Sequence, residues 1–178
     1  SNVKYTAYND YNQKTRDTGL YLQDQMALDN WRLTLGGRQD WLHTDTTFYN
    51  ENNARDKRDD SAFTGNAALS YVFDSGFTPY VSYAESFQAE PGGFGGKAFK
   101  PGTGKQYEVG IKYSPMGMDA LFSAAVYDLT QENVTIAVVL PSGIIEQQTV
   151  GESRVRGLDL EAKAQVTQDI SVIGAYSY

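Results

Sequence analysis

The 178-residue sequence contains no cysteine and a single histidine, His43. Without cysteine, this chain can form no disulfide, zinc–thiolate site, iron–sulfur cluster or thiol nucleophile. One histidine alone also makes a histidine-based catalytic triad or a multi-histidine metal centre hard to assemble. We therefore expect neither an enzyme nor an intrinsic cofactor or metal site in this chain.

Positive charge and long apolar runs are also scarce. Lys and Arg total 15 against 22 Asp and Glu, a net charge of 15 − 22 = −7. This balance argues against nucleic acid as the main partner, because phosphate binding needs clustered cations. No run approaches the roughly 18 apolar residues that a membrane-spanning helix requires. If the protein crosses a membrane, the sequence predicts that it does so with β-strands.

Aromatic residues and glycine are abundant, with 13 Tyr, 8 Phe, 2 Trp and 17 Gly. Their arrangement has a period of about two, the spacing of a strand with two different faces. Within Trp31–Trp41, for example, Arg38 and Asp40 fall on the face opposite to the tryptophans and leucines. The segments Gln106–Tyr113 and Gly157–Val166 repeat this alternation. An antiparallel sheet with one uncharged and one charged face is therefore predicted.

This pattern predicts about eight strands, each long enough to cross a bilayer at a tilt. The predicted strands are Gly19–Leu28, Trp31–Trp41, Ala62–Phe73, Phe77–Phe87, Gln106–Tyr113, Ala120–Thr130, Gly157–Val166 and Ile170–Tyr178. One residue breaks the alternation: Asp24 falls on the same face as Leu22 and Met26. Either the register shifts at this point, or the carboxylate is specially accommodated.

The connections between these strands alternate between short and long. Short turns are predicted at Asp29-Asn30, Asp74–Gly76, Ser114–Asp119 and Val166–Asp169, and long polar loops at His43–Ser61, Gln88–Thr103 and Gln131–Gly151. All long loops then emerge at one end of the sheet, which is the layout of outer-membrane barrels. Aromatic residues near the strand ends, such as Trp31, Trp41, Phe77 and Tyr113, are typical of an interfacial girdle.

Few sequence motifs suggest chemistry. The glycine-rich segments Pro91–Lys97 and Pro101–Lys105 both lack residues that a phosphate-binding loop needs. They are therefore interpreted as turns in flexible loops. The charge run Asp56–Asp60 is a candidate cation site, but a mutually paired, solvated run at the base of a loop is the preferred interpretation. His43, just past Trp41, is expected to cap a strand.

Several strings of the sequence together resemble the barrel of TonB-dependent siderophore receptors. They are Gly19–Gln25, Leu35–Trp41, Asp56–Asp60, Thr78–Phe87, Gly104–Tyr113, Ala125–Thr130 and Arg156–Ala164, which run in order over nearly the whole chain from about Asp17 to Tyr178. Among these receptors, the strings are most similar to the ferrichrome and ferrioxamine receptors, which take hydroxamate siderophores.

The resemblance implies an all-β, antiparallel, up-and-down transmembrane β-barrel of about 22 strands, closed by an N-terminal plug. Residues 1–178 would then be about eight contiguous strands of that barrel, without the plug. It also implies an outer-membrane receptor of a Gram-negative bacterium, which binds a ferric siderophore and is energised by TonB through the plug.

Roles for individual residues follow from the same resemblance. The residues expected to face the lumen and the plug are Arg32, Arg38, Asp40, Glu108, Lys112, Asp159, Glu161 and Lys163. Those expected to contact the siderophore are Tyr8, Tyr11, Phe94 and Phe99, because an aromatic side chain in a loop suits a rigid amphipathic ligand. Lys97, Lys100 and Lys105 lie near the outer rim, where either lipopolysaccharide phosphates or solvent would surround them.

Three alternatives remain open on sequence grounds. An autonomous eight-stranded barrel with a structural or adhesive role has an allowed strand number. An outer-membrane lipase or protease would need a nucleophile–base pair, for which His43 is the only histidine available. A soluble β-sandwich binding module has the same alternation of apolar and polar residues.

Overall fold

The computed structural model describes residues 11–49, 54–88, 101–139, 141 and 145–178. These residues form one antiparallel sheet of eight strands in sequence order. The strands are β1 (Tyr11–Leu28), β2 (Trp31–Phe48), β3 (Ala54–Tyr71), β4 (Phe77–Gln88), β5 (Gly102–Tyr113), β6 (Ala120–Val139), β7 (Ile145–Gln165) and β8 (Ser171–Ser177). The described part of the chain contains no helix that is long and apolar enough to span a membrane. The predicted up-and-down, all-β arrangement is confirmed.

The four short connections lie where the sequence predicts them, all at one end of the sheet. Three of them use a residue with positive φ: Asp29 (49°), Gly76 (89°) and Gly117 (79°). Glycine adopts this left-handed conformation without steric cost, and aspartate tolerates it better than most residues. At Gly76 no larger residue would fit, because an added Cβ would clash with the backbone carbonyl oxygen of Ser114.

Two of the three predicted long loops are wrong, because most of their residues continue the strands. The third, Gln88–Thr103, lies almost entirely outside the described residues. β2 extends to Phe48 and β3 begins at Ala54, so the predicted loop His43–Ser61 is mainly a hairpin. Within the predicted loop Gln131–Gly151, residues up to Val139 belong to β6 and those from Ile145 belong to β7. β1 begins at Tyr11 rather than at Gly19. In His43–Phe48 and Ala54–Asp60 both faces are largely polar, whereas Val134–Val139 carries apolar residues on both faces. In either case the amphipathic contrast that marks a strand in sequence disappears.

The cross-strand register divides the sheet into two chemically different faces, since directly paired residues point to the same side. The face that we call the apolar face includes Leu22, Leu33, Leu69, Val81, Val109, Val126 and Leu158. The face that we call the polar face includes Gln23, Arg38, Thr64, Ser82, Glu108, Tyr127 and Asp159. The predicted split of Trp31–Trp41 between two faces is confirmed.

Aromatic side chains form a nearly continuous belt near the short-turn end of the sheet. Trp31 contacts Tyr71 edge to face, with ring centroids 4.9 Å apart, and Tyr71 contacts Phe73 at 4.7 Å. Further along, Phe77 stacks on Tyr113 at 4.2 Å between centroids. Trp31 and Trp41 lie ten positions apart on the apolar face of β2, which corresponds to about 25 Å for a tilted strand. This spacing matches the height of an outer-membrane apolar band.

The β3–β4 ladder is the short one, with five register pairs that end at Asn66 and Ala84. Just beyond it, the Glu85 carboxylate accepts hydrogen bonds from the Gly65 backbone N–H (3.0 Å) and from the Tyr83 hydroxyl (2.6 Å). The side chain therefore replaces backbone pairing at the point where the two strands part.

The described sheet is open. Its strand order runs from β1 to β8, and these two outermost strands are not paired with each other. An autonomous eight-stranded barrel would require that pairing, so among the described residues the sheet does not form one.

Candidate functional site: the polar face of the sheet

The eight residues predicted to face the lumen all lie on the polar face. Arg32, Arg38 and Asp40 come from β2, Glu108 and Lys112 from β5, and Asp159, Glu161 and Lys163 from β7. Because each strand has two-residue periodicity, one antiparallel register brings side chains more than 100 positions apart onto one surface. The register thus groups them as the alternation in the sequence predicts.

On β2 the polar face becomes progressively buried toward the long-loop end. Asp40, Leu42 and Thr46 have only 4, 5 and 1 % of their surface exposed, whereas Trp41 between them is 49 % exposed. Arg38 donates from Nε to both carboxylate oxygens of Asp40, at 2.7 and 2.9 Å. A bidentate pair of this kind fixes both side chains, and the Arg38 guanidinium lies over Gly19 of β1.

A second polar group connects β4 and β5. Tyr80 Oη donates a hydrogen bond to Glu108 Oε1 at 2.7 Å, and Gln106 Nε2 donates to Glu108 Oε2 at 3.1 Å. Lys112 Nζ lies 5.1 Å from the centroid of the Tyr80 ring, within the range of a cation–π contact. Each oxygen of the Glu108 carboxylate therefore accepts a hydrogen bond from a side chain of the sheet, and its negative charge lies on the polar face.

On β7 the polar face carries Asp159, Glu161 and Lys163 at alternating positions, which pair with Ala125, Ser123 and Leu121 of β6. Small and apolar partners leave these charges available to a group that packs against the sheet. In the described ranges, no cluster of three His, Asp or Glu side chains is arranged to hold a metal ion. The surface is suited to binding through hydrogen bonds and ion pairs.

His43 does not end a strand, as the sequence suggested, but lies within β2. Its direct partner on β3 is Asp59, and Nδ1 of the imidazole is 2.6 Å from Asp59 Oδ1. Both side chains are on the apolar-face side of the strand extensions, away from Arg38. The predicted charge run Asp56–Asp60 is also strand rather than loop base, although Arg58 pairs with Asp60 at 2.7 Å as a paired run would.

Of the predicted siderophore contacts, only Tyr11 is within the described residues. It opens β1 on the polar face, paired with Phe48, and the two ring centroids are 6.4 Å apart. Next to it, Gln13 Nε2 donates to the buried Thr46 hydroxyl at 3.3 Å. The other predicted contacts, Tyr8, Phe94 and Phe99, fall outside the described residues, as do Lys97 and Lys100.

One group of ionic side chains was not anticipated from the sequence. Asp128 of β6 accepts from Arg154 Nε at 2.8 Å, from Arg154 Nη2 at 2.6 Å, and from Arg156 Nε at 2.8 Å. The three residues lie on the same face as Lys105, just past the apolar positions that end at Val126. The sequence shows that Arg154 and Arg156 share one face of β7. It does not show that both bind Asp128, because this residue is 26 and 28 positions away from them.

Comparison with known proteins identifies the family of this chain. The family model "TonB dependent receptor-like, beta-barrel" matches residues 1–178. The chain belongs to the TonB-dependent receptor β-barrel family. The ferrichrome outer membrane transporter/phage receptor of Escherichia coli K12 is 42 % identical over 166 residues, which cover 93 % of this chain and 22 % of that protein. The ferrioxamine receptor of Yersinia enterocolitica is 42 % identical over 174 residues, covering 93 % and 23 %.

Solved structures of an outer-membrane receptor and a siderophore receptor show the same fold. The alcaligin outer membrane receptor FauA of Bordetella pertussis superposes with a TM-score of 0.72 at 26 % identity, over 94 % of this chain and 30 % of that one. The siderophore receptor PiuA of Acinetobacter baumannii gives a TM-score of 0.74 at 22 % identity, over 95 % and 26 %. The chain thus spans about a quarter of the receptors it matches, and its sheet is part of an outer-membrane barrel wall. The family consists of receptors and transporters.

Proposed function

We propose that the complete protein imports ferric hydroxamate siderophores across the outer membrane and is energised through TonB. The supporting observation is the 42 % identity, over 93 % of this chain, to both a ferrichrome transporter and a ferrioxamine receptor. Ferrichrome and ferrioxamine share hydroxamate iron ligands, whereas another relative, a metal-pseudopaline receptor of Pseudomonas aeruginosa, is 34 % identical. The higher similarity therefore favours a hydroxamate cargo.

In this proposal residues 1–178 supply barrel wall and extracellular loops, and the plug domain lies elsewhere in the protein. The polar face lines the lumen, and its charged side chains, such as Arg38, Glu108 and Lys163, hold the plug. Ferric siderophore is captured by aromatic residues at the long-loop end, and TonB remodels the plug so that the ligand passes to the periplasm. The apolar face, with the aromatic belt around Trp31 and Tyr71, contacts lipid.

Uptake of ⁵⁵Fe-labelled siderophores tests this function. The full-length receptor is expressed in a strain that lacks its own hydroxamate receptors, and cells are supplied with ferrichrome, ferrioxamine B or a ferric catecholate. Uptake of a hydroxamate complex, but not of the catecholate, and its loss when TonB is deleted are the expected results. Catecholate uptake alone, or hydroxamate uptake that persists without TonB, would refute the proposal.

Capture by Tyr11 can be tested separately in the same receptor. Tyr11 opens β1 at the long-loop end of the polar face, whereas Tyr176 of β8 lies on the apolar face. We expect Tyr11→Ala to weaken binding of the ferric hydroxamate several-fold, and Tyr176→Ala to leave it unchanged. Binding is measured by quenching of intrinsic fluorescence on titration. Equal affinities of the two variants would show that Tyr11 does not contact the ligand.

Lipopolysaccharide is a further proposed partner, at the outer rim of the apolar face. Lys105, Arg154 and Arg156 lie together there, and the side chains of the two arginines are 54 and 66 % exposed although they share Asp128. Guanidinium groups bind phosphate through paired N–H donors. Arg154→Gln together with Arg156→Gln is expected to reduce the lipopolysaccharide that co-purifies with the receptor, whereas Arg32→Gln on the polar face is not. Equal amounts in both variants would exclude this site.

A further inference from the structure

Asp24 is a carboxylate on the apolar face of β1. Its direct partner across the β1–β2 ladder is Leu35, and the register runs without interruption from Tyr11–Phe48 to Leu28–Trp31. The register shift that would have turned Asp24 toward the polar face therefore does not occur. The carboxylate projects on the same side as the exposed Leu22 and Met26.

The position of Asp24 along the strand places it within the lipid-facing band. It lies four residues from Leu28, which pairs with Trp31 of the aromatic belt. On its other side along β1, toward the long-loop end, Leu22 and Leu20 lie on the same face. A carboxylate among lipid-facing side chains is energetically unfavourable unless it pairs with a cation or a strong hydrogen-bond donor. Acidic and basic groups in such positions therefore mark specific contacts.

The β2 side of Asp24 offers no such partner. The residue borders a shallow depression of about 440 Å³, lined otherwise by Leu20, Leu22, Leu35, Gly36, Gly37, Gln39 and Phe63. Gln39, the one other polar side chain there, donates its amide to the backbone carbonyl of Asp40 at 3.2 Å. Within the described residues the Asp24 side chain makes no hydrogen bond or ion pair, which leaves the opposite side of β1 as the direction from which a partner can reach it.

On that opposite side, β1 forms an edge of the described sheet. Barrels of this family are closed, so a further strand of the same protein pairs with this edge. A residue directly across from Asp24 on that strand would have its Cβ about 5 Å away, within reach of a salt bridge or charged hydrogen bond. A basic side chain at that position would compensate both the charge and the hydrogen-bonding capacity of the carboxylate.

We propose that Asp24 forms an interstrand pair on the lipid-facing surface with a lysine, arginine or histidine of the strand that adjoins the free edge of β1. This pair fixes the register between β1 and the strand that adjoins it. It also explains why a carboxylate stands in the apolar row of β1. A one-residue slip of β1 against that strand would separate the pair, so the pair selects the correct closure.

The sign of the effect of Asp24→Leu tests this proposal in the full-length receptor. Variants are folded into phosphatidylethanolamine-containing vesicles, and the folded fraction is followed through a urea titration by heat-modifiable gel mobility. If Asp24 is paired, Asp24→Leu leaves a basic group unpaired in lipid, and the folded-to-unfolded ratio falls at least tenfold. Asp24→Glu retains most of the stability, and the control Met26→Leu, on the same face, changes the ratio less than twofold.

A second variant identifies the partner. Replacing the basic residue opposite Asp24 by leucine should be as harmful as Asp24→Leu, while the double variant recovers most of the loss, because both charges leave the lipid together. A higher folded-to-unfolded ratio for Asp24→Leu alone would overturn the proposal, since it would mean an unpaired carboxylate. The proposal would also fail if no outward-facing basic residue of that strand showed a coupling free energy with Asp24 in a double-mutant cycle. An Asp24→Leu effect that vanishes in vesicles without phosphatidylethanolamine would assign the partner to the lipid headgroup and also overturn it.

Discussion

Tyr80 and Glu108 join β4 to β5 across the polar face, with 2.7 Å between the phenol oxygen and the carboxylate oxygen. The same phenol ring lies over Gly110, the direct cross-strand partner of Tyr80, so that an added Cβ at Gly110 would come within 2.6 Å of the ring. Tyr127 covers its own partner, Gly157, in the same way between β6 and β7. Glycine on one strand thus makes room for a tyrosine on the next.

Gly110→Ala should therefore destabilise the barrel. The new methyl group would push the Tyr80 ring aside and lengthen its hydrogen bond to Glu108, at a cost of about 1–3 kcal/mol in the free energy of unfolding. The measurement is a urea titration of the full-length receptor in lipid vesicles.

Gly65→Ala is the matched control for this prediction. An added Cβ at Gly65 would have its nearest contact, with Glu85 Oε2, at 3.7 Å, an ordinary van der Waals distance. We expect a change within about 0.5 kcal/mol. Equal losses for Gly110→Ala and Gly65→Ala would mean that strand propensity, rather than the Tyr80 ring, decides the cost.

The hydrogen bond itself is tested by Tyr80→Phe. Removing the phenol oxygen leaves one lone pair of Glu108 without its donor, and we expect a loss of about 1 kcal/mol. Tyr127→Phe is the comparison, because its ring also covers a glycine, and its hydroxyl makes no hydrogen bond within the described residues. A loss of the same size for Tyr127→Phe would contradict a specific contribution from the Tyr80–Glu108 bond.

The aromatic belt makes a separate prediction at Phe77 and Tyr113. Their rings stack with centroids 4.2 Å apart and planes inclined by 19°. A double-mutant cycle with Phe77→Leu and Tyr113→Leu should give a coupling free energy of about 0.5–1.5 kcal/mol. The distant pair Phe77→Leu and Trp41→Leu should be additive. Additivity in both cycles would mean that the stacked rings do not stabilise each other.

His43, the one histidine of the sequence, supplies a test of whether this side chain takes part in transport. Its imidazole contacts an exposed carboxylate, Asp59, and lies away from the polar face. We expect His43→Ala to leave siderophore uptake within twofold of the unsubstituted receptor and to cost less than about 1 kcal/mol of stability. A large loss of uptake without a loss of folded receptor in the outer membrane would show that His43 has a role in the transport cycle.

Much of the architecture could be predicted from local sequence patterns, because a membrane strand must alternate between lipid and interior. That constraint made Trp31–Trp41 recognisable as a strand and separated Arg38 and Asp40 from the tryptophans. The prediction failed where the constraint is absent. His43–Phe48 and Ala54–Asp60 are polar on both faces, and they are strands because they pair with each other along an extended hairpin.

The sequence by itself determined the strand period, the positions of the short turns and which residues of each strand share a face. These are local properties, set by side-chain alternation and by residues such as Gly76 that tolerate positive φ. Only the tertiary structure decided which distant groups meet, such as Tyr80 with Glu108 and Asp128 with Arg154. Those contacts depend on the register between strands, and a slip of one residue would exchange the two faces of a strand.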